Sequence, residues 1–251
     1  MEAPAISEGA APSAFPRCLA IVPAFQERDA IAQVIADIRA EAPVEIVVID
    51  DGSGDGTAAE AVRAGARVIT LPFNLGIGSA VQTGYMAAQE GDFDVAIQVD
   101  GDGQHPAAEI TRLVGALAAN GADLAIGSRF LGERLYRPPL GRRLGIAVFA
   151  RVVSAICGVR LTDTTSGFRA GNRRAIALFA AAYPHDYPEV EAVIIAHRAG
   201  LRIVEVPVEM RVRQGGRTSI TPLRSAYYMV KVLMAVAMQM LRRPVKLPDG
   251  P

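Results

Sequence analysis

The sequence predicts an α/β fold, a mostly parallel sheet flanked by helices, and three observations carry that expectation. Short apolar runs alternate with segments of helical periodicity from residue 18 to about residue 126. The helical segments are roughly 10–15 residues long, the length of a crossover between parallel strands. Acidic and glycine-rich clusters follow several of the apolar runs, and in such sheets ligands bind at the carboxyl ends of strands.

In chain order, Cys18 to Ala24 is a first apolar strand, and residues 29–40 are a helix with Ile31, Val34, Ile35 and Ile38 on one face and Asp29 as its N-cap. Val44 to Ile49 is a second strand, followed by a helix to about Ala64. Arg67 to Leu71 and Gly78 to Glu90 supply the third strand and its helix. A fourth strand leads to Asp100, a helix runs from Pro106 to Asn120 and stops at Gly121, and Asp123 to Ile126 is the fifth strand. Beyond Arg129 the spacing predicts helices over about Leu144–Ile156, Arg173–Ala181 and Pro188–Ala199, a strand over Leu201–Arg211 and a last helix from about Pro222 to Arg243.

The 251 residues suffice for a sizeable core, and 51% hydrophobic against 21% charged residues excludes a disordered chain. Residues 1–17 lack the basic start and apolar run of a signal peptide and read as a disordered leader, ahead of one domain over 18–220, an amphipathic helix over 221–243 and a tail over 244–251. Cys18 and Cys157 lie in apolar runs, which suits a reducing compartment and no disulfide. The zero net charge conceals a split: 6 Lys+Arg against 18 Asp+Glu through Ser128, then 20 against 8, or −12 and +12. The acidic half is expected to hold a metal and the basic half to face phosphates or an anionic membrane.

The strongest chemical signal is Asp100-Gly101-Asp102 with Gln104. Two strand-end carboxylates this close raise one another's pKa unless a cation joins them. Hard oxygen ligands without a Cys or His pair suit Mg²⁺ or Mn²⁺, with the shell completed by substrate phosphates and water. His105 can be read as a base or a ligand, but a structural role at the helix entry is the stronger expectation. Asp50-Asp51 also ends a strand, where a carboxylate can accept from a ribose hydroxyl or a base N–H. Capping by Ser53 or Asp55 explains one acid there and not the pair. Asn74-Leu75-Gly76-Ile77-Gly78 follows the third strand rather than the first, and no G-x-x-x-x-G-K-[ST] occurs. A dinucleotide dehydrogenase is therefore disfavoured and a P-loop nucleotidase excluded.

Taken in order, Pro23-Ala24-Phe25-Gln26-Glu27, Asp50-Asp51-Gly52-Ser53, Asn74-x-Gly76-x-Gly78, Asp100-x-Asp102-x-Gln104-His105-Pro106, Gly127-Ser128-Arg129, Ser166-Gly167-Phe168-Arg169 and Arg213-x-Gly215-Gly216 make the chain resemble family 2 glycosyltransferases. The resemblance is to the dolichyl/polyprenyl-phosphate mannose synthase group and implies the GT-A fold, a Rossmann-like sheet. It further implies that Pro23, Phe25, Glu27, Asp50, Asp51 and Gly76 bind the donor nucleotide. Asp100, Asp102 and Gln104 would hold the metal and diphosphate, and Arg129, Arg143 and Arg213 would meet phosphates. Asp100, Asp102 and Arg129 are the expected catalytic set. The chain departs from the family in having Phe25 for Tyr, Gln26 for Asn, Thr218-Ser219 for Ser-Lys, and Ala147 where a hydroxyl is expected.

The implied reaction is an inverting displacement from a GDP- or UDP-sugar onto polyprenyl phosphate. Such an acceptor is mostly ionised at pH 7 and needs little help from a base. A hydroxyl acceptor needs one, and Glu189 and Glu191 are the candidates. The rivals are a nucleotidyltransferase, which wants a basic glycine-rich loop after the first strand, and a nucleotide-sugar-binding protein with a decayed site. Arg224, Lys231, Gln239 and Arg242 form one polar stripe on the apolar last helix, expected to lie in the membrane interface, with burial against the domain or a dimer partner as the alternative. The placement that follows is cytoplasmic, peripheral on the cytoplasmic face of the membrane, with a small membrane partner protein or a second copy as possible companions and no nucleic acid.

Overall fold

The computed structural model describes residues 15–131, 140–210 and 222–245, with side chains omitted at 140–144 and 222–228. The strands are β1 (Cys18–Ala24), β2 (Glu45–Asp50), β3 (Arg67–Thr70), β4 (Val95–Gln98), β5 (Leu124–Ser128), β6 (Arg169–Asn172) and β7 (Ile203–Pro207). The helices are α1 (Arg28–Glu41), α2 (Thr57–Arg63), α3 (Ile77–Glu90), α4 (Ile110–Asn120), α5 (Leu140–Cys157), α6 (Arg173–Ala181), α7 (Pro188–Arg198) and α8 (Pro222–Leu241).

The strands form one sheet of order β3-β2-β1-β4-β6-β5-β7, parallel except for β6, which runs antiparallel to β4 and β5. Along β1 the side chains alternate between two cores. Leu19 and Ile21 meet α3 and the helices of the second half, whereas Cys18, Ala20 and Val22 meet α1 and α4. Both faces are covered, so the strands read as continuous apolar runs rather than as alternating ones. Order along the sheet reverses between β1 and β4, which opens a crevice at their carboxyl ends.

The mostly parallel α/β expectation holds, with two local differences. β6 was not anticipated, because Arg-Ala-Gly-Asn carries little strand propensity and its place depends on partners far away in sequence. Asp29 lies in the first turn of α1 and does not cap it. Instead Thr57 Oγ1 and Asp55 Oδ2 accept the N–H groups of Glu27 and Arg28 at 3.0 and 3.3 Å. Cys18 and Cys157 are free and buried, and burial raises their thiols to about 12 and about 11.

Of the polar stripe expected on α8, Lys231 and Arg242 are exposed and Gln239 is buried, and the Arg224 side chain lies outside the described residues. Val232, Val236 and Gln239 turn inward, and Gln239 Nε2 donates to the buried carboxylate of Glu191 at 2.7 Å. The opposite ridge of Val230, Met234, Met238 and Leu241 is exposed. Among the described residues no helix is long and apolar enough to cross a membrane.

Candidate active site

The crevice between the β1 and β4 ends holds a cavity of about 280 Å³. β1 delivers Pro23, Phe25 and Glu27, the β2 end delivers Asp51, the start of α3 delivers Gly76 and Ile77, and the turn after β4 delivers Asp100 and Asp102. Backbone bonds fix these walls to one another: Asp51 N–H donates to the Ala24 carbonyl at 2.9 Å, and Gly101 N–H to Pro23 at 3.3 Å. The Gln26 N–H donates to Ser53 Oγ at 3.0 Å, so Ser53 ties two loops together instead of capping α2. Gln26 itself has φ 55°. This is a left-handed conformation that Asn enters more readily than Gln, and Asn is the residue the resemblance leads one to expect there.

Asp50 and Asp51 part company. Asp51 lines the cavity, its Oδ1 accepting from Leu75 N–H at 2.8 Å and its Oδ2 from Gly76 N–H at 2.9 Å, which clamps the β3–α3 loop. Asp50 is 1% exposed and does not line the cavity; its Oδ1 takes the Ser53 N–H at 3.3 Å and its buried Oδ2 has no hydrogen-bond partner among the described residues. Consecutive residues at a strand end face opposite ways, so only one of the pair can reach the ligand. Gly52 (φ 72°) lets the loop pass, since a Cβ there would lie 2.7 Å from the Phe73 backbone.

His105 packs against the Asp100 turn. Its Nδ1 accepts the Asp100 N–H at 2.9 Å, so Nδ1 carries no proton, and Nε2 stands 3.5 Å from Asp100 Oδ2. The ring stacks on Phe168, with centroids 4.9 Å apart. Next to it, Gly167 packs so closely on Asp100 that an added Cβ would sit 3.2 Å from Oδ1. The Ser166–Arg169 motif of the second half thus buttresses the acid of the first half. Gln104 contributes through its backbone, donating its N–H to Asp102 Oδ1 at 3.0 Å, and it does not line the cavity.

Arg129 does not line the cavity. Its Nε and Nη2 donate to the two oxygens of Asp163 at 2.6 and 2.7 Å, and Nη2 also reaches Thr165 Oγ1 at 2.9 Å. Asp163 is fully buried, and its loop is held in turn by Glu205, which accepts the Thr162 and Asp163 N–H groups. Sequence reasoning gave Asp163 and Glu205 no role and carried Gly167 only within the Ser166–Arg169 motif, which signalled that this loop matters. The Arg143 side chain and all of Arg213 lie outside the described residues. Glu189 enters α7 beside the site: its carboxyl is pushed up, first by burial and further by Asp100, against the pull of Arg169 and Arg129.

Four acids (Glu27, Asp51, Asp100 and Asp102) line the cavity, with no basic side chain among the described lining residues. Such a concentration of carboxylates favours a positive charge in or beside the cavity. Among the described residues no group of three His, Cys, Asp or Glu is placed to hold a metal ion; Asp100 and Asp102, two apart at the end of β4, are a pair of carboxylates that line the cavity. One or two carboxylates with remaining positions open to phosphate and water is the set that Mg²⁺ takes.

Residues 19–177 match the model of glycosyl transferase family 2. The chain belongs to glycosyltransferase family 2. Relatives within this breadth include the polyprenol monophosphomannose synthase of Mycolicibacterium smegmatis, 32% identical and covering 85% of each chain. The undecaprenyl-phosphate mannosyltransferase of Micrococcus luteus is 30% identical over 82% of this chain and 88% of that one. Among solved structures, glucosyl-3-phosphoglycerate synthase from Mycobacterium tuberculosis, in complex with Mn²⁺ and uridine diphosphate, superposes with a TM-score of 0.67 at 24% identity, over 94% of this chain and 82% of that one. That likeness shows the shared GT-A fold of this glycosyltransferase.

Proposed function

We propose that this glycosyltransferase moves a sugar from a nucleoside diphosphate sugar to a polyprenyl phosphate, inverting the anomeric carbon, at the membrane surface. The observation that carries the reading is the cavity lined by Glu27, Asp51, Asp100 and Asp102, a concentration of carboxylates that supports a divalent cation and, with it, a phosphate-bearing donor. The lipid acceptor is supported by relatives aligned over most of the chain whose names include polyprenol and undecaprenyl-phosphate.

Asp100 and Asp102 would hold Mg²⁺ or Mn²⁺, which when bound offsets the charge that develops on the departing nucleoside diphosphate. His105 and Gly167 keep Asp100 aimed at the cavity. Asp51 shapes the nucleotide side by clamping Leu75 and Gly76, while Phe25 and Glu27 form the rim. Arg129 positions the Thr162–Thr165 loop through Asp163 and is a positioning residue on this reading. The exposed apolar ridge of α8 is the surface that meets the bilayer, at its cytoplasmic face.

One observation favours a second reading. Burial raises the Glu189 carboxyl and it feels the charge of Asp100, which supports it as a base for a hydroxyl acceptor, although it does not line the cavity. The two readings separate in one assay, in which labelled GDP- and UDP-sugars are incubated with Mn²⁺ or Mg²⁺ and either polyprenyl phosphate or water-soluble acceptors. Label should appear in the organic phase, and Glu189→Gln should change the rate by less than about threefold. A base would cost 10²–10⁴-fold, roughly. The acid limb of the pH profile should then follow an acceptor phosphate ionising near pH 6, roughly, and persist in Glu189→Gln. An acid limb that vanishes in that variant, with label only on soluble acceptors, would establish the second reading.

A further inference from the structure

A second cavity, of about 250 Å³, lies between the α6–α7 connection and the end of α8. Tyr183 and Ile195 line its inner part, and the exposed residues His185, Arg242 and Arg243 line its mouth. Its charges are not balanced. Arg198 donates to the carbonyls of Gln239 and Arg242, so the negative end of α8 is capped within the protein. Glu191, the buried acid of the wall, has both oxygens engaged, Oε1 by the Tyr187 N–H at 3.2 Å and Oε2 by Gln239 Nε2 at 2.7 Å. The guanidinium groups of Arg242 and Arg243 have no hydrogen bond or ion pair among the described residues, and the one acid at the mouth, Asp186, is exposed. Pro184, Pro244 and Val245 give the same cavity an apolar side.

The position matters as much as the charge. Val230, Met234, Met238 and Leu241 recur at helical spacing on the outer face of α8, with Leu241 82% exposed. A helix lying with that face in a bilayer interface carries the Arg242–Arg243 mouth at the level of the headgroups.

We propose that this cavity binds the phosphate of an anionic phospholipid headgroup. The inference rests on the membrane reading above and extends it with a specific anchor. The anchor abuts the catalytic cavity. Tyr183 OH donates to Gln98 Oε1 at 3.3 Å, and Gln98 Nε2 reaches Asp100 Oδ1 at 3.4 Å. His185 Nδ1 stands 3.1 Å from Ser79 Oγ on α3, whose first turn lines the active site. A headgroup held here sets the orientation of the active site relative to the bilayer.

The test is co-sedimentation of the full chain with phosphatidylcholine vesicles, with and without roughly one third phosphatidylglycerol. Wild type should bind the anionic vesicles about 30-fold more tightly than the neutral ones, the increment expected of two headgroup-level arginines. Arg242→Gln/Arg243→Gln should lose that increment, and so should Ile195→Phe, which narrows the cavity without changing charge. Both should keep neutral-vesicle binding and the wild-type melting temperature. Arg63→Gln/Arg67→Gln, an equal loss of charge at exposed sites elsewhere, should keep the increment. Retention of the increment in Ile195→Phe, or its loss in the Arg63/Arg67 control, overturns the cavity assignment. So does saturation of the cavity by inorganic phosphate in calorimetry with no preference for anionic vesicles. Binding of wild type to neutral vesicles without an anionic increment sinks this anchor alone, whereas no vesicle binding at all sinks the membrane reading beneath it.

Discussion

The acidic first half and the basic second half use charge in opposite ways. In the first half, Glu27, Asp51, Asp100 and Asp102 converge on one cavity. In the second, half of the arginines whose side chains are described are spent on the protein itself. Arg129 is paired with Asp163, Arg169 is buried against the Ser166 and Glu189 carbonyls, and Arg198 caps α8. Arg173 and Arg174 reach back to Asp92, Asp94 and Asp123 of the first half. A charge split in sequence therefore marks partly a partner and partly two halves neutralising one another. Counts by half cannot separate the two, because pairings such as Arg129–Asp163 are tertiary.

The comparison breaks most sharply at the cavity acids. Asp100→Asn and Asp102→Asn should each lower kcat/KM by about 10³-fold, roughly 4 kcal/mol, with the melting temperature little changed. If the first half is the chemical half, no described arginine of the second half matches that loss without also unfolding the protein. Asp163→Ala is the converse case. It strands a guanidinium that is 11% exposed, and urea unfolding should show a loss of about 3–5 kcal/mol. Replacing both partners by apolar residues, Arg129→Met/Asp163→Leu, should cost less than Asp163→Ala alone. A larger cost for the double variant would mean that the pair does more than position the loop.

Gly167→Ala probes the junction between the halves. The added Cβ lies within 3.3 Å of both Asp100 oxygens, so turnover should fall about 10- to 100-fold while stability moves little. An unchanged rate would uncouple the Ser166–Arg169 motif from the acid. The smallest effect belongs to Gln26→Asn, which relieves a left-handed backbone and should raise stability by about 0.5 kcal/mol in thermal unfolding.

What was legible in the sequence follows the range of the interactions. β1, β2, β4 and α3 were readable because their burial is local and periodic, and the Asp100–Pro106 turn because the chemistry of close acids is local too. The expectation that Asp50 and Asp51 would act together ignored the alternation at a strand end, a signal that was available. β6, the Asp163–Glu205 brace and the inward turn of Gln239 were not available, since each depends on a partner more than 40 residues away or on sheet neighbours with no local mark.

The central claim is that Asp100 and Asp102 admit the donor only with a divalent cation between them and its diphosphate. Titration calorimetry of GDP- and UDP-sugars, with Mn²⁺ and then with excess chelator, tests it without turnover. The account predicts binding by wild type only with Mn²⁺ present, and none by Asp102→Ala under either condition. Equal affinity in chelator, or an Asp102→Ala variant that binds as wild type does, would contradict it.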